Sequence, residues 1–421
     1  MRRNNSLLKP KSWFETFIPI SAALGGMQPI LPLYVIAIGG SLTDVGAILF
    51  AYNLVAVFSS IIWGKLSDSL GIRKKVILVG FSLSSFIFYS MAYCSKVYQL
   101  IILNAILGFF LTAYIPVASM LIIELYPRRE WEEKIGLYNM FCGIGWMLGT
   151  LIGAVWLTIF DLRSFFIACA ILSLISLLLA LKKVKDPYFT VERHYAPLMP
   201  NKISEMVSFI PHLIFHIPKL LEFKRLKKLM TYSMTRNLPL FYLSSFIFLT
   251  AFGLFFIPLP IYLKLLNLSN SQVLILYLIN SIASTLCYLK SSRLILKFKE
   301  KKLISIAVFS RIIVFILIPI LSVFQMISSY FSILMFATFM AILGLTWSLF
   351  WVPTSTMLVN LADKNKLGVA QGGLNSIVGV SSILASILSG YLTQYLGFQF
   401  NFLLSAFLTI LGLSILLLLE T

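Results

Sequence analysis

The densest run of residues able to do chemistry is Gly64-Lys65-Leu66-Ser67-Asp68-Ser69-Leu70-Gly71-Ile72-Arg73-Lys74-Lys75. Gly64 permits close helix contact at a membrane boundary. Gly71 supplies a turn with positive φ. A carboxylate at Asp68 can stabilise the positive end of a helix. Arg73, Lys74 and Lys75 either engage an acid or serve only to set topology. A second pattern is the glycine series Gly143, Gly145, Gly149 and Gly153, whose last three members have the four-residue spacing of close helix packing. The 15 acidic residues all avoid the middle of long apolar runs, with Glu15, Glu124 and Asp44 nearest to one. Proton relays through a membrane usually need a buried Asp, Glu or His. Glu15 or Glu124 would therefore have to serve if protons are coupled. Arg311 is the lone basic residue deep in an apolar run, placed to snorkel to the membrane face or to contact a substrate or gate. His212 and His216 share a helical face, but no carboxylate or thiol is placed to complete a metal site. His194 lies in the same central segment. Cys94, Cys142, Cys169 and Cys287 are scattered through apolar stretches as small buried hydrophobes, so neither a metal nor a cofactor is expected.

The elements around these residues follow from composition. The chain has 421 residues, 59% of them hydrophobic and only 12% charged. An average soluble domain is about 25% charged. The apolar runs are continuous rather than alternating, which excludes a β-barrel. The expected fold class is an all-α membrane protein with twelve transmembrane helices, at 13–38, 45–64, 75–94, 98–123, 135–158, 164–181, 239–263, 272–291, 303–323, 329–359, 367–393 and 399–419. The first run is longer than a signal-peptide core and leads straight into further helices, so it is expected to be a retained span.

With the N-terminus in the cytoplasm, 30 of the 34 Lys and Arg fall on the cytoplasmic side. Only Lys96, Arg163 and Lys264 fall outside. This positive-inside split predicts cytoplasmic N- and C-termini in the cell membrane. It also accounts for the formal charge of +19 through topology and anionic membrane lipids, with no nucleic acid as partner. The expected domains are a six-helix bundle at 1–181, a basic cytoplasmic linker at 182–238 and a second six-helix bundle at 239–421. Ile217 to Thr235 in the linker reads as a basic amphipathic helix on the membrane face. No zinc pattern, embedded carboxylate pair or Ser/His constellation indicates an enzyme.

The halves look related. Leu31-Pro32-Leu33-Tyr34 recurs as Leu259-Pro260-Ile261-Tyr262, and Val45 and Arg73-Lys74 meet Val273 and Lys301-Lys302 at the same offset. Lys134-Ile135-Gly136 resembles Lys366-Leu367-Gly368, and Gly153 and Phe165 match Gly390 and Phe402. Parallel six-helix repeats place a binding site between the halves.

The loop from Gly64 to Lys75 resembles the signature Gly-x-x-x-Asp-Arg-x-Gly-Arg-Arg of the major facilitator superfamily, at that family's position between spans two and three. Gly64, Asp68 and Gly71 match. Arg73 and Lys74 supply the basic pair one residue late, Ser69 replaces the usual Arg, and Ile72 stands where the first Arg of the pair belongs. The resemblance implies that Asp68 meets the start of span eleven near Gly368. It implies too that a loop Arg pairs with an acid at the end of span four, for which Arg73 and Glu124 fit, as a latch on the cytoplasmic side. Ser292, Leu296 and Lys299 occupy the matching Gly, Asp and Gly positions of the second half, where that copy has decayed. Gly145, Gly149 and Gly153 resemble the glycine-rich helix of the family's drug and metabolite exporters, with Thr150 in place of its Pro; generic packing is the other reading. Leu100-x-x-x-Asn104-x-x-Leu107-Gly108 lacks the Arg and Gln of proton-coupled exporters.

In that fold spans one, four, seven and ten flank the cavity. The candidates there are Gln28, Asn104, Tyr114, Thr346, Trp347 and Trp351, with Asn53, Asn139, Asn280, Arg311, Gln371 and Asn375 on neighbouring helices. An apolar, aromatic cavity with amide groups suits a small neutral or lipophilic solute. The implied function is alternating-access secondary transport, of exporter type, by a monomer whose candidate coupling ion is the proton. Passive facilitation or import, and a non-transporting sensor on the same fold, are the alternatives.

Overall fold

A computed structural model describes residues 13–70, 72–127, 130–186, 237–324, 329–362 and 367–419. Among them are a 3-10 turn, Trp13–Thr16, and thirteen helical segments. In chain order these are α1 (Phe17–Ala37), α2 (Leu42–Leu70), α3 (Arg73–Met91), α4 (Val97–Leu111), α5 (Tyr114–Leu125), α6 (Trp131–Ile159), α7 (Phe165–Lys183), α8 (Asn237–Phe256), α9 (Leu259–Leu265), α10 (Asn270–Phe298), α11 (Glu300–Phe324), α12 (Ser329–Leu361) and α13 (Leu367–Leu417). The proposed amphipathic helix and the three histidines lie outside the described residues.

Span count follows from length. A bilayer core of about 30 Å takes roughly 20 helical residues. Val97–Leu125 joins α4 and α5 into one span, and Asn237–Leu265 joins α8 and α9. The 51 residues of α13 are far too many for one crossing. Gly397 has φ 85° and ψ 166°, outside the helical region, and divides α13 into two helices. Twelve spans result, in two six-helix bundles. Their outer surfaces carry large exposed apolar side chains such as Phe86 (68% exposed) and Ile159 (71% exposed), which only a lipid environment accommodates at this density.

The helix starts at the end remote from the basic loops are capped alike in the two halves. Ahead of α2, Ser41 N–H donates to Asp44 Oδ2 at 2.8 Å and Asp44 N–H donates to Ser41 Oγ at 3.2 Å. Ahead of α10, Ser269 N–H donates to Gln272 Oε1 at 2.8 Å and Gln272 N–H to Ser269 Oγ at 3.2 Å. Each is a capping box that satisfies otherwise orphaned N–H groups. Ser41 and Ser269 are separated by the same interval as Leu31 and Leu259. The repeated tyrosines also behave alike. Tyr34 Oη donates to the Cys94 carbonyl at 2.6 Å and Tyr262 Oη to the Ile318 carbonyl at 3.4 Å, each tying its span to the end of the third span of its half.

The repeat fails at the basic end. Gly71 lies outside the described residues. Its counterpart Lys299, between α10 and α11, has φ 58° and ψ 154°, a region almost restricted to glycine. Lys299→Gly should therefore raise the stability of the purified protein by about 1 kcal/mol. An unchanged or lower thermal unfolding midpoint would show that this turn holds no strain.

Candidate substrate pathway between the two bundles

Arg73 opens α3 almost fully buried. Its Nη2 donates to Glu124 Oε1 at 2.9 Å and its Nε to Glu124 Oε2 at 3.3 Å, while Nη1 donates to Ser67 Oγ at 2.9 Å. Both side chains of the ion pair are only 3% exposed. The predicted pairing of a loop arginine with the acid at the end of the fourth span is thus present, as a two-pronged contact inside the first bundle. Lys74 has a different job from pairing across the bundles. Its N–H donates to Asp186 Oδ1 at 2.7 Å and its Nζ to the Leu181 carbonyl at 2.8 Å, fastening α3 to the end of α7. Position 72 brings no side-chain cap to α3, so the carboxylate of Asp186 caps it from a distance. Glu15 pairs with Lys183. Each of the two acids open to proton coupling therefore faces a cation.

The two bundles meet along two antiparallel seams. In the seam of α2 with α13, Leu42 N–H donates to Gln394 Oε1 at 3.0 Å. A Cβ on Gly46 would stand 2.6 Å from the Ser386 carbonyl oxygen and 3.0 Å from the Gly390 Cα. Asn53 Nδ2 donates to Ser386 Oγ at 3.0 Å, and a Cβ on Gly379 would stand 2.5 Å from Val57 Cγ2. Beyond this point the seam parts. Among the described residues Gly64 would meet only Pro116 Cβ, at 4.0 Å, and Gly372 nothing within 4 Å. The seam of α6 with α10 behaves the same way. Ser271 Oγ donates to the Ala154 carbonyl at 2.8 Å, and a Cβ on Gly153 would stand 2.3 Å from Leu274 Cδ2. Among the described residues Gly143 would meet only Thr285 Oγ1, at 4.0 Å, and Gly136 nothing within 4 Å. Both seams are closed at the end remote from the basic loops and parted toward the basic end.

The parted end exposes several of the predicted polar residues. Asn139, Gln371 and Asn375 are exposed, the last two within 3.4 Å of one another. Gln28 is exposed on α1, a helix otherwise largely buried. Trp347 and Trp351 are half-buried and stacked, with centroids 5.8 Å apart and planes 9° apart. Other candidates are structural. Asn104 is wholly buried and its Nδ2 donates to the Ile48 carbonyl at 3.0 Å, holding α4 to α2. Tyr114 is buried among Phe17 and Phe81. Asn280 donates to the Met340 carbonyl at 3.0 Å, and Thr346 to the Leu343 carbonyl at 3.0 Å. Asn53 belongs to the seam. Asn104 and Tyr114 thus face neighbours within the first bundle, and Thr346 bonds back to its own helix.

Gly145 and Gly149 pack α6 on α1. A Cβ on Gly149 would stand 1.9 Å from the Ala22 carbonyl oxygen and one on Gly145 2.5 Å from that of Ile18. Gly25 and Gly26 on α1, missed in the sequence, complete this contact: a Cβ there would stand 2.6 Å and 2.7 Å from the carbonyl oxygens of Trp146 and Gly149. Their adjacency in an apolar helix was the available signal. Gly153 faces the other bundle instead. The side chain of Asp68, like Gly71, lies outside the described residues, and Gly368 is described only as part of the first turn of α13.

Arg311 does not snorkel. It lies midway along α11 and is 1% exposed. Its Nη2 donates to the Leu343 carbonyl at 2.8 Å, and its guanidinium carbon lies 4.3 Å from the Phe252 ring centroid, 5.7 Å from that of Phe256 and 5.6 Å from that of Trp347. An arginine at the centre of a span costs about 2.5–3.5 kcal/mol on insertion scales. Three aromatic faces offset part of that cost.

The family model described as "Major Facilitator Superfamily" matches residues 16–341 and 320–421. The chain belongs to this superfamily. An uncharacterized MFS-type transporter of Methanocaldococcus jannaschii is 26% identical over 199 residues, 47% of this chain and 50% of the relative. Multidrug resistance protein MdtG of Escherichia coli O17:K52:H18 is 31% identical over 173 residues, 39% of this chain and 42% of the relative. The chain thus matches about half the length of these curated relatives. A solved variant of nucleoside transporter NupG superposes with TM-score 0.74 at 13% identity, covering 97% of this chain and 99% of that one. A D-xylose-proton symporter superposes with TM-score 0.67 at 13% identity, covering 97% and 96%. At these identities the likeness shows the fold alone. The superfamily chain described here is a multi-pass membrane protein whose loop Gly64 to Lys75 occupies the superfamily's signature position.

Two substitutions test the packing. Gly149→Ala should prevent recovery of folded protein, whereas Gly136→Ala should leave size-exclusion profile and unfolding midpoint unchanged; equal tolerance would refute the close α1–α6 contact. Glu124→Ala should destabilise by about 3–5 kcal/mol, because it strands a buried guanidinium. Arg73→Met/Glu124→Leu should recover most of this in thermal unfolding, and an additive double loss would argue against a buried pair.

Proposed function

We propose that the chain is a secondary transporter that moves a small neutral or lipophilic solute by alternating access, in the exporting direction, and that the structure is its cytoplasm-open state. The observation that carries this reading is the pair of seams closed at one end and parted at the other. The basic loops supply the orientation, since lysine and arginine mark the cytoplasmic side. Rocking of two related bundles about a central site is the motion such repeats support. Similarity to multidrug resistance protein MdtG supports export.

The register of the α2–α13 seam indicates how the cytoplasmic side would shut. Leu42 lies against Gln394, Gly46 against Gly390 and Val57 against Gly379. The same antiparallel steps continue to Gly64 opposite Gly372, two residues whose missing side chains leave room to meet, and then to Asp68 opposite Gly368. A carboxylate arriving at the first turn of α13 would be stabilised by its unpaired N–H groups. Arg73 and Glu124 would hold the loop that carries Asp68. This assigns Gly64, Asp68, Gly71, Arg73, Glu124 and Gly368 to the latch, with Lys74 as an anchor behind it.

The reading is tested in proteoliposomes with a panel of lipophilic dyes, with and without a pH gradient. Saturable flux is expected. Gradient-driven accumulation would identify the proton as coupling ion, through Glu124 or Glu15. With the four native cysteines replaced, Gly64→Cys/Gly372→Cys should form a disulfide during turnover and arrest flux. No cross-link at that pair, with ready cross-linking of Leu42→Cys/Gln394→Cys, would sink the proposed closure. No flux of any dye would sink the transporter reading.

A further inference from the structure

Arg311 holds a charge in mid-membrane that no carboxylate among the described residues neutralises. All 15 acids of the sequence lie at span ends, in loops or in the central segment. The described ones near the spans are engaged there, Glu124 by Arg73, Glu15 by Lys183 and Glu300 by Asn360 Nδ2 at 2.8 Å. Around Arg311 the partners are one carbonyl and three aromatic rings, with Tyr288 near enough to interact with both the guanidinium and the Trp347 indole. Its Nε and Nη1 are buried and no acceptor among the described residues reaches them. The guanidinium fork is therefore one-fifth used as a hydrogen-bond donor, since it carries about five N–H groups.

Its place in the wall matters as much as its charge. Of the three rings, those of Phe252 and Phe256 sit on α8, and Phe252 is buried. The third, Trp347, is half-buried and forms a parallel stack with Trp351 on α12. Spans seven and ten, which carry these rings, are those that flank the pathway in this fold. The half-buried indole of Trp347 thus contacts the guanidinium and stacks on Trp351. A solute approaching Nε and Nη1 along that indole would have to displace it from its contact with Tyr288.

We propose that Arg311 and the Trp347–Trp351 pair form an anion-recognition site, and that the transported solute is a flat, apolar molecule bearing a single negative charge. This rests on the transporter reading above and narrows its substrate class. A carboxylate or sulfonate accepts two parallel N–H bonds along one edge of a guanidinium, from the second Nη2 hydrogen with either Nε or Nη1, and its aromatic body stacks on the indole. The charge also supplies a driving force. An inside-negative membrane potential pushes a monoanion outward by about 50-fold in concentration per 100 mV. Export of such a solute needs no proton relay, which fits a chain without a carboxylate in the middle of any span.

The test compares naphthalene-2-sulfonate, permanently ionised, with naphthalene-2-sulfonamide, its neutral counterpart of similar shape. Binding to the full-length protein in nanodiscs is measured by calorimetry, and uptake in liposomes with an imposed potentiometric gradient and no pH gradient. The sulfonate should bind about 10-fold or more tightly, the preference expected of a charge-assisted pair. Arg311→Gln should bring the two compounds to parity, and Arg311→Lys should retain part of the preference because it keeps the charge without the fork. Sulfonate uptake should respond to the potential and sulfonamide uptake should not. Equal binding of the two compounds by the unaltered protein would overturn the proposal, whether or not the variants fold. So would a preference that survives Arg311→Gln. If the unaltered protein moves the dye panel but neither naphthalene compound, the anion site fails while the transporter reading stands. If it moves nothing, both fail.

Discussion

Within a bilayer no water is present to satisfy a peptide group, so each span must close its own hydrogen bonds and the bundles can associate only through packed surfaces. The structure answers this constraint with glycine. At the α1–α6 crossing Gly25, Gly26, Gly145 and Gly149 bring backbone onto backbone, and at the α2–α13 seam Gly46 and Gly390 do the same across the two bundles. These two uses differ in consequence. The first lies inside one bundle and fixes it as a rigid body. The second lies between bundles, where a shallow, side-chain-free contact offers little resistance to rolling. Gly153 and Gly390, related by the internal repeat, stand at the closed ends of the two seams.

Charge is distributed by the same logic. A buried ion is tolerated when it is paired and hydrogen-bonded, as Arg73 is with Glu124 and Ser67. That pair sits near the membrane boundary, where the helix α3 also takes its cap from Asp186. Arg311 obeys a different rule. No carboxylate among the described residues reaches it and it is accommodated by ring faces, which lower the cost of its burial without cancelling its charge. The first arrangement strengthens a loop. The second leaves a buried charge whose Nε and Nη1 meet no acceptor among the described residues.

The halves have kept some devices and lost others. The capping boxes Ser41/Asp44 and Ser269/Gln272, and the buried hydroxyls of Tyr34 and Tyr262, survive because each half needs the same helix starts and the same tie to its third span. The signature loop survives once. Its second copy has Lys299 where a glycine would relieve a positive φ, and Leu296 where the first copy has Asp68. The asymmetry leaves the signature carboxylate on α2 without a counterpart at the matching position of α10.

Hydrophobic length and charge placement are local properties, so the sequence alone determined the twelve spans, the gathering of basic loops on one side and the repeat, while the encounter of Arg73 with Glu124 was implied by the family resemblance of the loop. The glycine spacing in α6 likewise announced close packing. Which face of each span meets a neighbour was not legible, because helices apolar all round carry no periodic signal that separates lipid from protein. Hence only packing turns Asn104 and Tyr114 into the first bundle, and only the closing of Phe252, Phe256 and Trp347 around Arg311 separates burial from snorkelling, two placements its sequence position left open. The state of the seams, shut at Leu42–Gln394 and parted at Gly64 and Gly372, is likewise decided only in three dimensions. It depends on the relative tilt of two rigid bundles, and no single segment of the chain encodes a tilt.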